Sequence, residues 1–331
     1  MMHRRTFIKA AMAAALPLPL SLQHALASEL QKSVRVLVGF PPGGATDAAA
    51  RWLADALKGT YAQSSIVENK PGAGGRLAND DTKLSAPNGS TLLLTPSSTM
   101  ALYPHIYTDL SYNPLTDFAP VSHVCDFVHG LAIGPSVPES VNTLDDFLAW
   151  CKANPTKANC ATPGEGSSPQ FLISTLSRAS GVELQPIPYK GTGPAITDVV
   201  GGQVAAIMVV AEGAYLNFQK EGKIRILATT GKERSPFFPH VPTFKEQGFD
   251  TLVFKEWFGL FMPAKTPPHI VDQASVALRS ILKQEGIVKK FENYAMSASP
   301  STPAELGAML KADYDFWSPI INESGYKPLS S

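Results

Sequence analysis

Between an apolar strand beginning at Val34 and a helical pattern reaching Arg51 lies Gly39-Phe-Pro-Pro-Gly-Gly-Ala-Thr-Asp47, a turn whose residue types suit holding an anion. Gly43 and Gly44 let the backbone turn tightly, so the first free N–H groups of the helix can point at a ligand oxygen where the helix dipole is positive. Thr46 or Asp47 can cap a helix starting at Ala48, and Pro41-Pro42 stiffen the approach, so the same residues also describe an ordinary capped strand-to-helix turn. Similar entrances recur. Pro96-Ser-Ser-Thr99 precedes a helical start at Met100, and Pro163-Gly-Glu-Gly-Ser-Ser-Pro-Gln170 offers Ser167 or Ser168 as a cap, with Gln170 at capping-box spacing from Ser167. Tyr189-Lys-Gly-Thr-Gly-Pro194 repeats the idea, with Thr192 or Gly193 as cap. Each helix end favours a negative group by about 0.3–1 kcal/mol when exposed and roughly 2 when partly buried, so convergence of several matters more than any one.

Catalytic patterns are missing. No Gly-x-Ser-x-Gly elbow or Walker loop occurs, Gly164-x-Gly-Ser-Ser has the wrong order for an elbow, and the spacing of Gly72-x-Gly-Gly departs from the dinucleotide fingerprint. His123, Cys125 and His129 alternate onto one face of an extended segment, but six residues of strand span about 20 Å, too far for His123 and His129 to share an ion. No catalytic residue, metal or cofactor is expected. Trp257 suits either stacking on a ligand or burial where the chain crosses between domains.

The elements that must position these turns alternate. Ser65–Glu68, Thr91–Leu94, Val128–Ile133, Ala158–Thr162, Leu184–Pro188, Ala205–Val210 and Ile224–Thr229 read as short buried strands. Helical patterns fall at Arg76–Leu84, Leu144–Ala153, Pro169–Ala179, Ala195–Val200 and Ala214–Glu221, the spacing of strand-helix units on mostly parallel sheets. The chain returns through Thr251–Met262 and ends in helices at Ile270–Gln284 and Pro303–Phe316. If these complete the first sheet, residues 28–123 and 252–331 form a discontinuous first domain and residues 124–251 a second. A cleft is then expected between them, with ligands bound where the strands feed the helices.

The first 27 residues read as an export signal: His3-Arg-Arg-Thr-Phe-Ile-Lys9, an apolar run from Ala10 to Leu22, and the small-x-small site Ala25-Leu-Ala27. The paired arginines suggest the twin-arginine route, although a general secretory signal also carries such pairs. A periplasmic chain starting near Ser28 is expected, with no lipid anchor. Cleavage removes three of the 28 basic residues and none of the 28 acidic ones, leaving a mildly acidic protein with no basic block for nucleic acid or anionic membranes. Cys125, Cys151 and Cys160 allow either a Cys151–Cys160 bridge with one orphan or three buried thiols.

Gly39-Phe-Pro-Pro-Gly-Gly44 with Thr46-Asp47, Val67-Glu-Asn-Lys-Pro-Gly-Ala-Gly-Gly75, Asp117-Phe-Ala-Pro-Val121, Pro188-Tyr-Lys-Gly191, Gly201-Gly-Gln-Val204, Arg234-Ser-Pro236, Val241-Pro-Thr243 and Trp257-Phe-Gly-Leu260 run through nearly the whole mature chain. In this order they resemble the Bug-type solute receptors of tripartite tricarboxylate transporters. The resemblance implies an α/β, two-domain Venus-flytrap of the type II periplasmic binding protein kind. Such a receptor closes on a small organic carboxylate, acts as a monomer without cofactor or chemistry, and presents its ligand to the membrane subunits of a transporter. A sensing system would use the same closure.

The resemblance also implies a ligand set. One carboxylate would be held by the loop containing Phe40, Pro42, Gly43, Gly44, Thr46 and Asp47, with Ser97, Ser98, Thr99, Gly164, Glu165, Ser167, Ser168, Tyr189 and Val210 from the other binding loops. Two positions depart from the family's habit. Ala205 and Val210 stand where relatives commonly carry Asp and then Asp or Asn, and Gly164-Glu-Gly-Ser167 replaces Gly-Asn-Gly-Ser. Glu165 would repel a second ligand carboxylate or hold an ammonium or hydroxyl group if it faced the cleft, or else point to solvent. A less polar monocarboxylate, or an aromatic or amino-bearing acid, is expected rather than citrate.

Overall fold

The computed structural model describes residues 30–211 and 213–324; the expected export signal lies outside the described residues. The first lobe opens with β1 (Gln31–Val38), α1 (Ala45–Leu57), β2 (Ala62–Asn69), α2 (Arg76–Leu84), β3 (Thr91–Pro96) and α3 (Tyr103–Ile106). The chain then leaves along β4 (Phe118–Phe127) into β5 (His129–Ile133) of a second sheet. The second lobe continues with α4 (Leu144–Ala153), β6 (Asn159–Thr162), α5 (Ser168–Ser180), β7 (Gln185–Pro188), α6 (Thr192–Val200), β8 (Ala206–Val210), α7 (Gly213–Lys220) and β9 (Arg225–Thr229). The return leads into β10 (Glu256–Pro263), followed by α8 (Pro268–Ile281), α9 (Glu285–Glu292), β11 (Ser297–Ala298) and α10 (Pro303–Ser324).

The first sheet has the order β11-β4-β10-β3-β1-β2 and the second β7-β6-β8-β5-β9. β1, β2 and β3 pair in parallel, whereas β10 runs antiparallel to both β3 and β4. β3 and β10 are buried along their whole length, which is why their sequences are continuous apolar runs rather than alternations. Apolar clusters cover the two sheets, and one runs from Leu37 and Leu93 of the first lobe to Leu131 and Cys160 of the second. α10 joins that cluster through Leu306, Leu310, Trp317 and Ile321. Trp317 meets Phe171 of α5 edge-on at 5.5 Å and Phe254 at 5.0 Å, so the last helix packs across both lobes as well as on the first sheet. Burying such a ring contributes about 1.5–3 kcal/mol.

Several elements depart from the sequence expectations. β4 pairs with β10 as far as Phe127 and β10 starts at Glu256, so the crossings fall at Val128 and beyond Leu252, later than the expected boundaries at 123/124 and 251/252. The ladder holds the chain there: Cys125 pairs with both Phe258 and Ala298. α1 starts at Ala45 with Gly44 as its cap residue, so neither Thr46 nor Asp47 caps it. A π-helical turn over Ser98–Leu102 begins inside the expected polar turn. α6 opens at Thr192 after Gly191. All three cysteines are free and buried, and burial pushes their thiols up, Cys151 to about 12. The expectation of alternatives is thereby resolved in favour of three buried thiols.

Candidate functional site between the lobes

The Gly43 turn is built as its residues dictate. Gly43 adopts φ +94, a left-handed conformation that a side chain disfavours, and its N–H donates to Asp47 Oδ2 at 2.9 Å. Asp47 also takes the Arg51 guanidinium at 2.9 and 3.0 Å and Asn69 Nδ2 at 2.9 Å, while the same Asn69 amide donates to Phe40 O at 3.0 Å. Burial works to raise the Asp47 carboxyl, but Arg51, the Gly43 N–H and Asn69 together outweigh it and hold the group below its usual range. The first intrahelical bond of α1 is Ala48 N–H to Gly44 O at 3.0 Å, so the N–H groups of Ala45, Thr46 and Asp47 precede the helical ladder. With the acid neutralised by its own loop, this end keeps its positive character.

Gly43, Gly44, Ala45 and Thr46 line an inner cavity of about 180 Å³. Its other walls come from Phe40 and Pro42, Ser98 and Tyr103, Phe127 and Phe258 in the first lobe, and Ser167, Ser168, Thr192 and Val210 in the second. An outer chamber of about 870 Å³ adjoins it, sharing Phe40, Pro41, Pro163, Ser167, Lys190 and Gly191. The inner space is small beside the roughly 300–1,000 Å³ of pockets for drug-sized ligands.

Two buried residues at the inner cavity were not foreseen as ligand contacts. Glu256, the first residue of β10, and His129, the first of β5, are 2% and 1% exposed. His129 Nε2 lies 3.1 Å from Glu256 Oε2, Ser168 Oγ donates to the same oxygen at 2.8 Å, and the Ser98 N–H donates to Oε1 at 3.1 Å. Burial acts to raise the Glu256 carboxyl; His129, Ser98 and Ser168 outweigh it and hold it below its usual range. The His129 ring stacks on Phe254 at 5.8 Å, and its Nδ1 is buried without a hydrogen-bond partner. The available signal was an acid directly before Trp257-Phe-Gly-Leu260, in a strand otherwise apolar.

The other expected ligand residues divide. Gly164, Glu165 and Tyr189 line only the outer chamber. Glu165 is exposed there on the wall that also carries Arg76, whose guanidinium lies 3.9 Å over the Tyr107 ring, and Tyr189 donates to Asp198 Oδ2 at 2.7 Å. Ser97 and Thr99 line neither space. Ser97 Oγ accepts from Trp257 N–H at 3.5 Å, and Thr99 donates to Pro96 O at 3.0 Å, so both hydroxyls stabilise the π-helical turn and its neighbour strand. Asp47 likewise lies behind the cavity wall, bonded to its loop. The expected cap bond of Ser167 is replaced by donation to Gly164 O at 2.7 Å, and Gln170 Oε1 accepts instead from the Gly166 N–H at 2.6 Å. Trp257 is buried and donates through Nε1 to Asp313 Oδ2 at 2.6 Å, which fixes α10 to β10. Among the described residues no group of three potential ligands is placed to hold a metal ion.

Two α/β lobes, joined by crossing strands and flanking a cavity lined by helix N-termini, define a receptor of the periplasmic-binding, Venus-flytrap class. The chain belongs to the tripartite tricarboxylate transporter family of receptors, which it matches over residues 49–326. Members of this family are periplasmic solute-binding receptors and not enzymes. It is 33% identical over 297 residues to Protein BugT of Bordetella pertussis, covering 89% of this chain and 90% of that protein. Among solved structures it is similar to MatC from Rhodopseudomonas palustris with bound malate, at TM-score 0.81 and 27% identity over 88% of this chain and 99% of the other. It is also similar to an R. palustris protein with adipate, at TM-score 0.83 and 25% identity over 90% of this chain and 99% of the other.

Proposed function

We propose that this protein captures a small organic carboxylate between its lobes and delivers it to the membrane subunits of a tripartite transporter. The observation that carries this reading is the Gly43 turn: the Ala45 and Thr46 N–H groups ahead of the α1 ladder, on a wall of the cavity between the lobes, beside an aspartate whose charge is balanced by Arg51. Lys190, on the wall between the two chambers, adds a positive charge on the entry path. The malate and adipate bound by similar proteins support the same ligand chemistry. The first carboxylate sits at Gly43–Thr46, with Ser167 and Thr192 closing from the opposite lobe. The protein reaches the periplasm through the twin-arginine-like signal in residues 1–27, is cleaved near Ser28, and works as a monomer.

Calorimetry of the purified mature chain against a panel of organic acids tests the reading. One acid bound per chain, recovered unchanged, is the expected outcome. Consumption of any acid, or no binding by the entire panel, would overturn it.

A further inference from the structure

The inner cavity contains a carboxylate of the protein's own. Glu256 receives the Ser98 N–H from the first lobe and the Ser168 hydroxyl from the start of α5 in the second, with His129 beside it. These are the donors that two closing lobes would otherwise offer to the far end of a ligand held at Gly43. Two donors meet one oxygen and a third meets the other, so the donors of the seat are already taken by a carboxylate of the protein's own. Phe127, Phe258 and Val210 supply apolar wall in the same cavity, and Lys190 lies on the wall it shares with the outer chamber. A second ligand carboxylate would therefore meet a buried like charge instead of donors, in a region of low dielectric where repulsion is large.

We infer that Glu256 is a built-in substitute for a ligand's distal carboxylate, and that the receptor selects acids bearing a single carboxylate and an uncharged far end. The inference rests on the carboxylate-receptor reading and narrows it. It also shifts discrimination from Glu165, which lines only the outer chamber, to a residue at the inner one. His129 positions Glu256 through Nε2, with its ring stacked on Phe254.

The test compares acids matched in length and shape: butanoate with succinate, hexanoate with adipate, and benzoate with terephthalate. Binding is measured by calorimetry on the mature wild-type chain and on Glu256→Gln, which removes the charge and keeps the shape. In the wild type, each diacid is expected to bind at least about tenfold more weakly than its monoacid partner, the consequence of placing a like charge in a desolvated site. In Glu256→Gln that ratio should shrink about tenfold or invert. A wild-type preference for diacids would overturn the inference even if the variant failed to fold. So would a ratio unchanged in a folded variant. If neither monoacids nor diacids bind, the carboxylate-receptor reading fails, and this inference with it.

Discussion

Asp47 illustrates how a residue expected at the ligand can instead brace the turn that lines the cavity. Replacing it by alanine leaves the Gly43 N–H, Asn69 Nδ2 and part of Arg51 without their acceptor, which should lower stability by about 1–3 kcal/mol in urea titration and weaken carboxylate binding in calorimetry. Binding unchanged in Asp47→Ala would show that the turn holds its shape without this brace. The pH dependence follows from the same contacts. Asp47 and Glu256 are held below ordinary values of 3.8 and 4.5, so each contributes stability that is complete above those values and lost as pH falls through the depressed folded ones. Acid titration by circular dichroism should show stability falling below about pH 4.5, and Asp47→Asn should flatten its lower part. Asp313 moves the other way: burial raises its carboxyl, with the Trp257 N–H working against it, so its contribution favours the folded state only while it stays protonated.

At the level of elements, the facing lips are set by small residues. Gly166, at φ +68, lies against Tyr107 of the other lobe, and a Cβ added there would fall 1.8 Å from the phenol oxygen. Gly166→Ala should hold the lips apart and weaken ligand binding about tenfold or more in calorimetry, because a closed site depends on matched walls. Gly181 is the control: its φ is +65, yet no atom lies within 4 Å of an added Cβ, so Gly181→Ala carries only backbone strain of about 1–2 kcal/mol. Equal effects on ligand affinity in the two variants would count against the lip contact. The helix at Leu144–Ala153 was legible in the sequence because Thr143 and Asp146 form a complete capping box around an apolar stripe. α1 was placed late because its cap is a glycine and its acid reaches back instead of capping; no propensity marks that choice. β4 was read only as an extended segment from His123, because Phe118-Ala-Pro-Val-Ser-His-Val-Cys-Asp-Phe127 mixes polar and apolar residues, and only its partners β10 and β11 turn all of it into a strand. The same cause hid Glu256 and His129 as a pair: residues far apart in sequence meet only after two strands cross, whereas the Gly43 turn is local and could be read directly.

In the molecule as a whole, Trp317 packs on both Phe171 and Phe254, so Trp317→Ala should destabilise the entire protein by about 3–5 kcal/mol in thermal or urea unfolding, with both lobes melting together. Separate transitions for the lobes would show that α10 does not couple them. Ligand addition should raise the melting temperature and reduce the radius of gyration in small-angle scattering, as expected when a receptor closes on what it binds. The two crossings give this motion a particular leverage. His129 follows the outward crossing at Val128 and Glu256 ends the return, so the part of the cavity they form lies where the lobes are joined, while Gly166 and Tyr107 meet at the lips. A ligand seated as proposed at the Gly43 turn would press its far end near the fulcrum, where a misfit of one methylene is magnified along the length of each lobe. On that proposal the gap at the lips would be a gauge of ligand length, and the proposed membrane partner, reading that gap, would reject an overlong acid without ever touching it.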